Sequence, residues 1–376
     1  MGSVAVARGD GPSRPIPRGP DAGLLDLPVA TSDETLAVHE VLGRNKTDAL
    51  LVLDDGALVC ETYRTSEDAT TPHALWSVTK SVVGCLAGML IAEGALDPDA
   101  AASGYVPELA AGGYATATVR DLLDMRTGGD YCESHDDPDG ELGQLGQICG
   151  WWPRSDSTLP ATVREWLATM ERPAASAGSF AYRSADTEVL GWVLETITDQ
   201  PLATLIGQRL LAPIGAEADG LLDLDPAGCA QASGGLSLVP RDVARFAGML
   251  LDGGASQECQ VVPTRFLRDT YTGQPDSVAA FRHRVAATLG PDLPDPVNGL
   301  YRNGFWVLEQ GRRVLMCLGV HGQLVLIDGE ARVAVVMLSS WPAPQDPHRF
   351  DAALAAATAI VERLADQPQR GLSLHG

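Results

Sequence analysis

Two largely apolar runs separated by a polar turn over Asp48–Thr65 predict a β-hairpin. Ala49-Leu50-Leu51-Val52-Leu53 runs into Asp54-Asp55-Gly56, which is turn chemistry, and Ala57-Leu58-Val59-Cys60-Glu61-Thr62-Tyr63 returns. Trp76 to Glu93 is apolar almost all round and carries the small residues Gly84, Ala87 and Gly88. That pattern predicts a buried helix, stopped by Gly94. A short amphipathic helix is predicted over Thr118–Met125, capped by Thr118 and ended by Gly128-Gly129. Asp130 to about Leu159 reads as loop. Helices follow at Thr162–Met170, Ala185–Thr198 and Arg241–Leu251. Strand-like segments then cluster at Gly304–Leu308, Arg313–Leu318, Leu324–Ile327 and Val333–Leu338, and Asp351–Leu364 is a closing helix. Strands at both ends with helices between them predict an α+β fold, an antiparallel sheet flanked by helices plus a helical domain. The expected divisions are a flexible, proline-rich arm over 1–23, a discontinuous sheet domain over 24–75 and 187–376, and a helical domain over 76–186.

Composition narrows the function. The 376 residues carry 27 basic and 49 acidic side chains, a net charge of −22. Such a surface repels phosphate backbones and anionic lipid, so neither nucleic acid nor a membrane is expected as a partner. No run of 18 apolar residues predicts a membrane span. The N-terminus has no continuous apolar stretch of the kind a secretory signal carries. The seven cysteines are odd in number, and no two have CxxC spacing. Reduced thiols in a cytoplasm are therefore expected. The seven histidines are scattered without metal-ligand spacing, so neither metal nor cofactor is expected. No GxSxG, P-loop, GxGxxG or HExxH motif occurs. Oligomeric state is not legible.

The candidate chemistry begins with the lysines. Of 27 basic residues only Lys46 and Lys80 are lysine. Arginine cannot give up its proton in a protein, whereas lysine can serve as a base when its surroundings lower its pKa. Lys46, beside Asn45 and Thr47, fits a solvated surface residue. Lys80 stands three residues after Ser77 at the head of the most apolar helix. A serine there has helix N–H groups and the positive dipole end beside it. The i+3 spacing puts Lys80 on the same face, partly desolvated, which is what an activated nucleophile needs. Tyr182, in the loop Gly178–Ser184, is a candidate second base and proton donor. Read alone, it is better described as a buried tyrosine with a bonded hydroxyl.

Several motifs then fall in order. They are Ser77-x-x-Lys80 within WSVTKS, TVRDLLDM at 118–125, Phe180-x-Tyr182-x-Ser184, ADTEVLGW at 185–192, Gly234-Gly235-Leu236-Ser237 with Arg241-Asp242, VHGQ at 320–323 and LSSWP at 338–342. Together they resemble the serine β-lactamase and penicillin-binding-protein superfamily, and within it the 6-aminohexanoate-dimer (nylon-oligomer) hydrolase group, over about residues 48–364. The resemblance implies a serine hydrolase with Ser77 as nucleophile and Lys80 and Tyr182 sharing the proton traffic. It implies an oxyanion hole made by the backbone N–H groups of Ser77 and Val320.

Departures from the family pattern shape the substrate expectation. β-Lactamases carry Lys-Thr-Gly on the strand that here reads Cys317-Leu318-Gly319, so the cation for a substrate carboxylate is missing and poor β-lactamase activity is expected. His321 is either a donor to substrate or a histidine bonded within its own loop. Ser184 stands where β-lactamases usually have Asn. A second Tyr that grips the amide in the nylon-hydrolase group is replaced by His135, with Tyr131 in the preceding turn. That favours ester over aminohexanoate-amide cleavage. Trp306 neighbours the expected active-site strand as a candidate pocket wall. Six acidic residues between Asp130 and Glu141 read as a solvated loop or as an attractor for an amine-bearing substrate. The reading is a small ester or amide hydrolase acting through acyl-Ser77. The alternatives are a transacylase passing the acyl group to an amine and, from another class, a non-catalytic acyl-binding protein.

Overall fold

The apolar runs after Asp48 form two paired strands in the computed structural model, which describes residues 2–366 apart from 33, 129–132, 136, 172–177, 258 and 282–298. In chain order the elements that frame the site are β1 (Gly2–Val6), α1 (Val38–Arg44), β2 (Thr47–Asp54), β3 (Ala57–Tyr63), β4 (His73–Ala74), α2 (Val78–Ala92), α3 (Val119–Leu123), α4 (Glu141–Cys149), α5 (Val163–Thr169) and α6 (Ser184–Thr198). There follow β5 (Gly220–Leu224), β6 (Leu236–Leu238), α7 (Pro240–Leu251), α8 (Thr264–Thr272), β7 (Leu300–Arg302), β8 (Phe305–Val307), β9 (Val314–Gly319), β10 (Gln323–Asp328), β11 (Val333–Ser339) and α9 (Pro347–Ala365).

The main sheet has seven strands in the order β7-β8-β9-β10-β11-β2-β3, every pair antiparallel. The C-terminal strands therefore pair back onto the N-terminal hairpin, with Val335 opposite both Val52 and Leu326. β10 and β11 are buried at every position, as strands covered on both faces must be. Helices α7 and α9 both pack on β11. A smaller antiparallel sheet, β1-β5-β6-β4, carries the chain to the start of α2.

Helix α2 is buried from Val78 to Leu90, which explains its lack of a polar face. Its glycine matters for position. A Cβ on Gly84 would collide with the carbonyl oxygen of Asn303, and one on Gly304 would come within 2.6 Å of the carbonyl oxygen of Lys80. The β7–β8 turn thus lies directly on the helix. Arg302 pins that turn through Asp124 at 2.5 Å and Asp269 at 2.8 Å, while the Asn303 N–H donates to Asp124 at 3.2 Å.

Two segments depart from the sequence reading. The expected flexible arm is laid on the body: β1 pairs with β5 in register Gly2↔Leu224 to Val6↔Gly220, and Val6 is fully buried. Further along the same arm, the Arg14 N–H donates to the Gly215 carbonyl at 2.8 Å and the Gly19 N–H to the Leu58 carbonyl at 3.1 Å. The prolines shape its path without freeing it. The stretch read as loop after Asp130 contains α4. Leu142, Leu145, Ile148 and Cys149 form its buried stripe, but Gly143 and Gly146 mask the helical signal. A side chain at Gly146 would strike the Trp152 ring, so close packing outweighs helix propensity there.

The six described cysteines, at 60, 85, 149, 229, 259 and 317, are free. Among the described residues no helix is long and apolar enough to cross a membrane, and no group of three His, Cys, Asp or Glu could hold a metal ion.

Candidate active site

The chain turns sharply into α2. Leu75 is tied to β6 by its N–H, which donates to the Leu236 carbonyl at 2.9 Å. Trp76 then adopts φ 48°, a left-handed conformation that costs a non-glycine residue about 1–3 kcal/mol and persists only where surroundings enforce it. Here the Trp76 ring lies between Trp151, edge-on at 6.0 Å, and His321 at 5.3 Å. The turn leaves Ser77 at the N-terminus of α2, half-buried and facing a cavity.

Lys80 lies one turn on and is 2% exposed. Its Nζ donates to Ser77 Oγ at 2.8 Å and to the Ser233 carbonyl at 2.8 Å. The Ser233 carbonyl is itself held in place, because Glu188 accepts the backbone N–H groups of Ala232 and Ser233, each at 2.9 Å. Burial lowers the Lys80 pKa to about 8, opposed by the charges of Glu133 and Glu188. Burial also pushes Glu188 above the usual carboxylate range, against the bonds it accepts.

Tyr182 comes to the same point from the loop before α6. Its hydroxyl is close enough to Ser77 for the serine to ease the rise in its pKa, and its ring centre lies 5.2 Å from Lys80 Nζ. Burial and then Glu133 push its pKa well above the ordinary phenol value, so the hydroxyl keeps its proton. Trp306 stacks on it at 5.2 Å and 19°, and Tyr301 meets it edge-on at 5.7 Å. These contacts fix the ring.

The cavity has a volume of about 290 Å³. Ser77, Tyr182 and Val320 line it. Val307, Met316, Leu318 and Leu324 of the sheet, with Phe350 and Leu354 of α9, make the walls apolar. Ser77 and Val320 both line this space, and neither backbone N–H donates to an acceptor among the described residues. Glu133 and Asp346 are the acidic residues on its wall, and no described Lys or Arg lines it.

The remaining site expectations fall out as follows. His135 and Trp306 line the cavity. Ser184 turns away: its N–H and Oγ donate to the Glu133 carboxylate at 2.5 and 2.7 Å. His321, at φ 60°, has its Nδ1 2.8 Å from the Trp341 carbonyl and its N–H on the Pro344 carbonyl at 2.9 Å. Its imidazole is thus engaged with the segment that follows β11 and with Trp76, rather than within its own loop, and it is not among the residues lining the cavity. Tyr131 lies outside the described residues. Three contributors were not singled out from sequence. They are Glu133, one acid among six in its loop; Glu188, carried unremarked within ADTEVLGW; and the α9 wall, which the sequence presents only as a closing helix.

A serine activated by a neighbouring lysine at a helix N-terminus, against an antiparallel sheet, defines the active-serine hydrolases with a penicillin-binding-protein-like fold. The chain belongs to the β-lactamase family, whose model matches residues 41–360. It is 35% identical over 302 residues to a 6-aminohexanoate-dimer hydrolase of Paenarthrobacter ureafaciens, covering 80% of this chain and 74% of that one. A solved Bacillus anthracis structure assigned to the 6-aminohexanoate-dimer hydrolases matches with TM-score 0.84 and 26% identity, over 98% of this chain and 92% of its own. EstCE1, described as a hydrolase with promiscuous acyltransferase activity, shares the fold at TM-score 0.63 and 19% identity, over 85% and 96% of the two chains. The chain is a serine hydrolase.

Proposed function

We propose that the protein cleaves small, uncharged esters or amides bearing an apolar group, through an acyl-Ser77 intermediate. The observation that carries this reading is the 2.8 Å contact of a buried Lys80 with Ser77 Oγ at the mouth of an apolar cavity. In the reaction, Ser77 Oγ bonds to the carbonyl carbon as its proton passes to neutral Lys80. The carbonyl electron pair moves onto oxygen, where the N–H groups of Ser77 and Val320 stabilise it. As the bond to the leaving group breaks, the proton returns through Tyr182 to that group. Water then attacks the acyl carbon as its proton passes to the same pair, the acyl–Oγ bond breaks, Ser77 Oγ takes that proton back and the carboxylic acid leaves. His135 and Trp306 border the substrate, and no metal or cofactor takes part.

The apolar walls also weigh against β-lactams, which bring a carboxylate into a space without a described cation to receive it. The test is a rate comparison across p-nitrophenyl esters, short amides and a chromogenic cephalosporin, with and without a primary amine. Fast ester hydrolysis with slow cephalosporin opening is expected. Rapid opening of the cephalosporin would overturn the substrate assignment. An acyl group that leaves Ser77 only when the amine is added would assign the transacylase reading instead.

A further inference from the structure

We propose that Glu133 is a positioning residue of the catalytic centre, a carboxylate locked by Ser184 at the cavity wall so that Lys80 and Tyr182 exchange their proton against a fixed negative charge. The proposal rests on the acyl-Ser77 reading. Its basis is geometric. Glu133 borders the same cavity as Ser77 and Tyr182. Both its oxygens are occupied from one side, Oε2 by the Ser184 N–H and Oε1 by the Ser184 hydroxyl. Ser184 is the first residue of the 15-residue helix α6 and follows Tyr182 by two positions. The bond that fixes Glu133 is therefore made by the same short segment that fixes Tyr182, and the helix dipole favours a carboxylate there. No described Lys or Arg forms an ion pair with Glu133, because the nearby Arg183 is turned to Glu141 at 3.0 Å and to Asp186 at 4.0 Å.

The charges around the pair are few. Lys80 is faced by Glu133 from the loop, Glu188 from α6, and the uncharged Tyr182 and Ser77. Tyr301 stands behind Tyr182 from β7. Glu188 is committed to the Ala232 and Ser233 N–H groups, so Glu133 is the charge on the open side. Of the two acids it also acts more strongly on Lys80. Its role is to keep the ammonium that forms when Ser77 attacks from being stranded in an apolar site. As the bond to the leaving group then breaks, the proton passes from Lys80 to that group, the acyl group stays on Ser77 and the charge on Glu133 is unchanged.

The experiment is the pH dependence of Ser77 acylation by p-nitrophenyl butyrate, followed by stopped-flow nitrophenol release, for wild type, Glu133→Gln and Glu133→Asp. Without the negative charge Lys80 loses its proton at lower pH. The midpoint of the acid limb in E133Q is expected to move down by about one unit, the scale of a single nearby charge. The plateau rate should fall, since the ammonium loses its counter-charge. E133D keeps the charge one methylene further back and should restore most of the midpoint. A merely structural contact would lower the rate of both variants without moving the midpoint. An unchanged midpoint in E133Q, or in the equally charge-removing Glu133→Ala should E133Q fail to fold, overturns the proposal and leaves acyl-Ser77 standing. Absence of a nitrophenol burst and of any Ser77 adduct in wild type overturns both.

Discussion

Replacing Lys80 by arginine separates charge from basicity. The lysine Nζ sits 2.8 Å from both Ser77 Oγ and the Ser233 carbonyl, in a site where burial brings its pKa to about 8. At pH 7 about one Lys80 in ten is then neutral and able to accept the serine proton. Arginine, with a pKa above 12, is neutral in fewer than about one molecule in 10⁵. If Lys80 is the base, the competent population falls by about 10⁴, at the upper end of what a positioned general base contributes. The expected loss in kcat/KM for p-nitrophenyl butyrate is at least about 10³, with the thermal melt recorded alongside to show that the larger guanidinium has not unfolded the chain. The sign of the wild-type pH dependence follows from the same group. Activity belongs to the deprotonated form, so it is lost as pH falls through about 8 and reaches a plateau above it. Lys80→Arg should abolish that limb. Activity within about tenfold of wild type would show that Lys80 supplies charge alone and would refute the reasoning.

Gly84→Ala should destabilise by about 1–3 kcal/mol, because the new methyl meets the Asn303 backbone carbonyl rather than a side chain that can swing away. A denaturant titration with an unchanged midpoint would show that the β7–β8 turn is not seated on α2. Ala353→Phe fills the α9 side of the cavity. It should raise KM for butyryl and longer esters while sparing the acetyl ester, whereas an equal loss across chain lengths would mean that this wall does not hold substrate.

The features legible in sequence are those carried by local spacing. Leu50, Val52 and their neighbours up to the Asp54-Asp55-Gly56 turn announce the hairpin within 18 residues. Ser77 and Lys80 share one helical turn, and the scarcity of lysine marks the pair. The parts that stayed hidden depend on partners far along the chain. β1 exists because Gly220–Leu224 offers it an edge, and nothing in Gly2–Val6 names that partner. Glu133 gains its place through Ser184, 51 residues later. Among six loop acids no local feature distinguishes it. Helix α4 was obscured by glycines that are there for packing. The α9 residues Phe350 and Leu354 show an apolar face either way, since periodicity does not tell a core from a cavity wall.

The central claim is that Ser77 carries the acyl group. Intact-protein mass spectrometry within seconds of mixing with p-nitrophenyl butyrate, followed by peptide mapping, tests it directly. The account predicts a mass gain of one butyryl group, located to Ser77, absent from Ser77→Ala and cleared as hydrolysis proceeds. Full turnover by a folded Ser77→Ala variant, or a butyryl group mapped to another residue, would contradict it.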